Sequence, residues 1–171
     1  MATASAGLPH QPKLVRIAHA LLLFGFAAQV VLGHAVAFGL DGPLFAWHQD
    51  RVALALWGTA DYGIEVSAYR GWIQAVFGGT LISYAWAMLF LTAVPLRRRE
   101  AWAAWAIAIA TLNWVVVDTA ISSAHGVWIN VAFNAVALTS TAVPLGLMIP
   151  WLRARDAMQP QASADALQLA G

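Results

Sequence analysis

The tract TLNWVVVDTAISSAHGVWINVAFN, residues 111–134, decides how this chain folds. Two apolar runs meet at Ser123–Gly126, through a turn so short that the helices on either side must form an antiparallel hairpin. Within the hairpin sit Asn113, Asp118, Ser122, His125, Asn130 and Asn134. An ionisable side chain inside a hydrophobic span is expensive, and its default reading is a functional site.

The composition around the hairpin is that of a membrane protein. Hydrophobic residues make up 61% of the 171 and charged residues only 10%, where soluble domains carry about a quarter charged. The formal net charge of +1 offers nucleic acid no basic surface. The absence of cysteine removes disulfides, thiolate nucleophiles and thiolate-bound metals together. Several of the nine Trp fall near span ends, where amphipathic rings favour the headgroup zone.

Working outward from the hairpin, the third span is expected over 102–123 and the fourth over 127–149, with Pro144 bending the last turns. A second span over 72–94 ends at Pro95 and Arg97-Arg98-Arg99, a run that also suits anionic lipid. Its Ala75, Gly79, Ser83 and Ala87, at four-residue spacing, predict a small-residue ridge for close helix packing. The first span, 17–37, is long enough to cross the ~30 Å hydrocarbon core. Ala35-Val36-Ala37 behind Lys13 and Arg16 has the look of a signal-peptidase site, but the apolar run exceeds a signal core and is read as a retained helix. Gly25, Gln29 and Gly33 form a packing stripe on it.

Between the first two spans, Asp41-Gly42-Pro43 breaks the helix. Leu44 to Trp57 then reads as a short helix, either lying at the interface or folded over the bundle as a cap. Residues 1–12 and 156–171 read as disordered tails around one transmembrane domain, 13–155. The expected fold is therefore all-α, a four-transmembrane-helix bundle with a short interfacial or capping segment between the first two spans. Lys13, Arg16, Arg97, Arg98, Arg99, Arg153 and Arg155 fall on one side of it, against Arg51 and Arg70 on the other. The positive-inside rule then places both termini in the cytoplasm of a multi-pass protein of the cell inner (plasma) membrane.

Asp118, Ser122 and His125 follow i, i+4, i+7 spacing, and Thr111 and Trp114 extend their stripe inward. Asp118 lies about 24 Å along a ~30 Å core, near the outer boundary. Gly126, Asn130, Asn134, Ala137 and Thr141 form the facing stripe. Asn113 points roughly 140° away from Asp118, toward a different helix contact.

A carboxylate beside an imidazole suits proton transfer, which makes Asp118 and His125 the candidate catalytic pair. The alternative is structural, with Asp118 bonded across the hairpin to Asn130, Asn134 or Ser122 to hold register. Ser122, Asn130, Asn134, His34 and Trp114 complete the candidate polar or ligand-binding cluster. His34, His48, Asp61 and Glu65 are further metal donors in principle, and His34 with His125 could ligate one haem. His19 falls near the inner interface, where a histidine needs no special role. No cofactor or metal is assigned.

The chain contains no P-loop, GxSxG or HExxH motif, and no glutamate in the middle of the first span. The tract WVVVDTAISSAHGVWINVAFN, following PLRRREAW, resembles small uncharacterised four-span bacterial membrane proteins over roughly residues 70–145. The resemblance implies the fold and no activity.

Three functions follow as expectations. The first is a non-catalytic accessory subunit or lipophilic-ligand-binding bundle. The second is a membrane enzyme or proton-transfer protein using Asp118 and His125. The third is a haem or metal carrier using His34 and His125. The expected partners are the lipid bilayer, a membrane-protein partner or second copy, and a lipophilic small molecule, with no nucleic acid.

Overall fold

The computed structural model describes residues 11–39, 42–60 and 63–169, with side chains described as far as Ala154 except at 43 and 44. It contains five long helices: α1 Lys13–Phe38, α2 Pro43–Trp57, α3 Ile64–Leu91, α4 Ala101–Ala124 and α5 Trp128–Leu169. Four of these stretches are long and apolar enough to cross a membrane: α1, α3 with its continuation to Leu96, α4, and α5 to Ala154. The all-α four-span architecture read from the sequence is the architecture observed.

Local chemistry sets the breaks. Gly39 ends α1 by donating its N–H to the Ala35 carbonyl at 2.8 Å. Pro43 begins α2 at a position where its missing N–H costs nothing. Gly58, with φ of 71°, closes α2 in the left-handed conformation that a side chain disfavours. Residues 40–41, including the expected breaker Asp41, and 61–62, including Asp61, lie outside the described residues.

α3 widens into a π-helical turn, Thr92–Leu96, around Pro95. Proline has no N–H to give and crowds the preceding turn, so the regular helical ladder cannot continue through it. The Thr92 carbonyl receives the N–H of His19 Nε2 at 2.9 Å. His19 thereby ties α1 to this turn, a role its position in the sequence did not suggest. Arg99 follows with φ of 62° and is buried, its guanidinium 4.8 Å over the Trp151 ring and donating to the Trp151 carbonyl. One arginine of the basic run is thus turned inward onto α5, while Arg97 and Arg98 stay exposed.

α1 packs on α3 and α5, α4 packs on α5, and α3 touches α4 only sparingly. The α1–α3 seam is the tightest. A Cβ on Gly78 would meet the Ala37 backbone N at 2.5 Å, and one on Gly33 would meet Ile82 Cγ1 at 2.8 Å. The expected ridge is therefore not the packed face of this span. Gly79, Ser83 and Ala87 are exposed, and the buried face is Gly78, Leu81, Ala85 and Met88. The rotation of α3 is set by Gly78, where the Ala37 backbone leaves no room for a side chain. In the α1 stripe Gly33 packs closely, while Gly25 has open space beyond it.

The apolar core is confined to one half of the bundle, the end that carries Lys13, Arg97 and Arg153. It is built from residues such as Leu22, Phe26, Leu96, Ile107, Leu145 and Met148. The outward faces are as apolar as the inside, Phe24 being 74% exposed and Ile109 63%. Lipid tails match such faces, so helix association rests on packing and polar contacts rather than on hydrophobic transfer.

α2 is a true helix and docks on α5. His48, Gln49, Val52 and Ala53 turn inward on it, leaving Trp47, Leu54, Leu56 and Trp57 exposed. α5 continues to Leu169, so helix extends into the segment expected as a disordered tail, where Ala, Met, Gln and Leu are good helix formers. The expected N-terminal tail lies outside the described residues except for Gln11 and Pro12.

Candidate functional site

The α4–α5 turn brings the two polar stripes face to face. His125 ends α4, Gly126 takes φ of 72°, and the Val127 N–H reaches back to the Ser122 carbonyl at 2.8 Å. Only three residues, His125 to Val127, separate the two helices, and α5 must then run back along α4. Asn134 Nδ2 donates to Asp118 Oδ2 at 2.6 Å and to Thr119 Oγ1 at 3.0 Å. One turn nearer the hairpin, Asn130 Nδ2 donates to Ser122 Oγ at 3.4 Å. Ser122 and Asn134 are buried and Asp118 is half-buried. The carboxylate is thus held by a short, charge-assisted hydrogen bond from the facing helix.

A second chain of bonds enters from α2. His48 Nε2 donates to Asn130 Oδ1 at 2.9 Å, and its ring lies 5.9 Å from that of Phe133. The order His48, Asn130, Ser122 joins the capping helix to both members of the hairpin. Sequence reasoning offered His48 only as a metal donor and missed this role. The available signal was the inward stripe His48, Gln49, Val52 and Ala53 on a segment otherwise rich in Trp and Leu.

Asp118 and His125 are engaged separately. His125 is exposed, and its Nδ1–H donates to the Ile121 carbonyl of its own helix at 2.9 Å. His34 is likewise exposed and donates to the Val30 carbonyl at 2.8 Å. α1 and α4 do not pack on each other, so His34 and His125 are not brought together. Among the described residues no three His, Asp or Glu side chains gather into a metal-sized group.

Trp114 belongs to a different contact. Its ring lies 6.1 Å from that of Tyr84 on α3, and the Tyr84 hydroxyl shares a 3.0 Å hydrogen bond with Thr111. These side chains bridge the sparsely packed α3–α4 seam near mid-bundle.

Among the described residues the buried side-chain atoms without a hydrogen bond include donor nitrogens of Arg70, Arg99 and Trp151 and two acceptors. The side-chain oxygens of Gln29 on α1 and Gln74 on α3 are buried without a hydrogen bond. Gln29 lies one helical turn inward of Gly33, and Gln74 one turn outward of Gly78. Since Gly33 and Gly78 pack together, the two acceptors are about 15 Å apart along the bundle and bracket its less apolar half. Buried acceptors normally find a donor, so each calls for an explanation.

Comparison with known families, curated proteins and solved structures finds no match for this chain.

Proposed function

We propose that this chain is a non-catalytic integral membrane protein that binds a lipophilic small molecule in the half of the bundle covered by α2. The observation that carries the reading is the unequal interior. One half is a packed apolar core, and the other holds the bonded polar hairpin together with the unpaired acceptors of Gln29 and Gln74. A ligand with an apolar body and hydroxyl or N–H groups would satisfy those acceptors, and an empty bundle leaves them costly. The sparse α3–α4 seam, bridged by Tyr84 and Trp114, offers such a ligand a lateral way in from lipid.

In this reading Asp118 is a register-holding residue, already committed to Asn134. The charge bias of the helix ends supports an orientation with both termini cytoplasmic and α2 on the outer face of the inner membrane.

Native mass spectrometry of protein extracted in mild detergent tests the proposal. Wild type should retain a lipophile of one defined mass, and a Gln29→Leu, Gln74→Leu double variant should lose at least about tenfold of it, as expected for loss of hydrogen-bond acceptors worth roughly 1.4 kcal/mol together. The empty double variant should also be the more stable of the two empty proteins, because it no longer buries orphaned acceptors. Wild type carrying only the same mixed phospholipid as the double variant would remove the ligand-binding reading.

A further inference from the structure

Asn113 is a polar residue of α4 that takes no part in the hairpin contacts. It sits at the midpoint of Ala101–Ala124, exposed on the lipid-facing side, and its carboxamide has no hydrogen-bond partner among the described residues. The lipid-facing hydroxyls elsewhere behave differently. Thr80, Ser83, Thr139 and Ser140 all donate back to carbonyls of their own helices. A carboxamide left open to hydrocarbon is costly, because no water is there to pair with it.

The residues around Asn113 form a seam. Ala106, Ile109, Asn113, Val116 and Ala120 follow three-four-three-four spacing, the pattern by which two helices pack side by side. All five lie on the side of α4 away from Asp118, and only Ala106 is half-covered. Ala106 and Ala120 occupy the positions equivalent to Asn113 one heptad to either side, and their small side chains permit close approach around the amide. A single asparagine at the centre of such a seam fixes register and favours a pair of strands.

We propose that this face of α4 binds α4 of a second copy, centred on a hydrogen-bonded Asn113–Asn113 pair. The occupant follows from the chemistry of the amide and of the membrane. A carboxamide both donates and accepts, so two related by a two-fold axis complement each other, Nδ2 of each donating to Oδ1 of the other. Copies inserted in one orientation present Asn113 at the same depth, facing across an axis normal to the membrane. Any other partner would have to carry a matching group at that depth independently.

The chain has no cysteine, which makes the seam directly testable. In liposomes, Ala106→Cys, Ile109→Cys, Val116→Cys and Ala120→Cys should form intermolecular disulfides on mild oxidation. The equally lipid-facing Phe90→Cys on α3 and Val143→Cys on α5 should not. Energy transfer between labelled copies should show Asn113→Val weakening association roughly tenfold, with Asn113→Gln keeping most of it. Asn113 points out of the bundle, so the valine variant should melt like wild-type monomer, which separates lost association from misfolding. Monomeric wild type in liposomes overturns the proposal, as does cross-linking through α3 or α5 instead of α4. Undiminished association of the valine variant does so too.

Discussion

Asp118 accepts a hydrogen bond from Asn134 at 2.6 Å, and the two ends of this contact are not equivalent. Removing Asn134 leaves a half-buried carboxylate without its amide donor. Removing Asp118 leaves an amide that still has Thr119 at 3.0 Å. Asn134→Leu should therefore destabilise more than Asp118→Leu, by the general rule that orphaning a charge costs more than orphaning a neutral group. Combined with the double variant, the two should yield a coupling of about 1 kcal/mol, toward the upper range for polar contacts between membrane helices. Equilibrium unfolding in mixed micelles measures all four states. A coupling of zero would mean that this contact does not hold the hairpin. The hairpin part of the site was legible in the sequence because so short a turn fixes which residues of α4 and α5 face each other. His48 was not, since its place beside Asn130 depends on how α2 folds back over α5.

At the scale of helices, Gly78 and Gly79 are neighbours with opposite roles. A Cβ on Gly78 would meet Ala37 backbone and side-chain atoms at 2.5 to 2.8 Å, while Gly79 has nothing within 4 Å. Backbone atoms of a packed helix cannot swing aside, so Gly78→Ala must push α1 and α3 apart. It should cost about 1–3 kcal/mol, the usual penalty of overpacking. Gly79→Ala should be neutral or stabilising by roughly 0.5–1 kcal/mol, because alanine is the better helix former. Thermal unfolding of the two variants in the same detergent would show equal shifts if the seam were not this close. The contrast also explains which parts of the fold could be read in advance. Span number and approximate ends follow from runs of about 20 apolar residues, a property of the chain alone. The face each span turns inward does not, because in a bilayer the outer face is as apolar as the inner one. Hydropathy periodicity is then weak, and Gly78 and Gly79 look alike until the partner helix is placed.

For the whole molecule, the decisive asymmetry is electrostatic. Lys13, Arg16, Arg97, Arg98 and Arg153 are all exposed at one end of the bundle, the end that also holds the apolar core. At the other end Arg51 is exposed and Arg70 half-buried, in company with the exposed acids Asp50 and Glu65. Arg99, packed on Trp151, lies at the same end. Translocating short segments rich in Lys and Arg is disfavoured, so the basic end should stay cytoplasmic and α2 should face outward. The absence of native cysteine makes single-site labelling clean. Glu65→Cys, on an exposed residue at the start of α3, should react with a membrane-impermeant maleimide added to intact cells. Ala154→Cys, exposed at the opposite end, should react only after permeabilisation. The reverse pattern would put α2 and the polar hairpin on the cytoplasmic side. A ligand entering beneath α2 would then be drawn from the inner leaflet, and the basic end would need another reason for its charge.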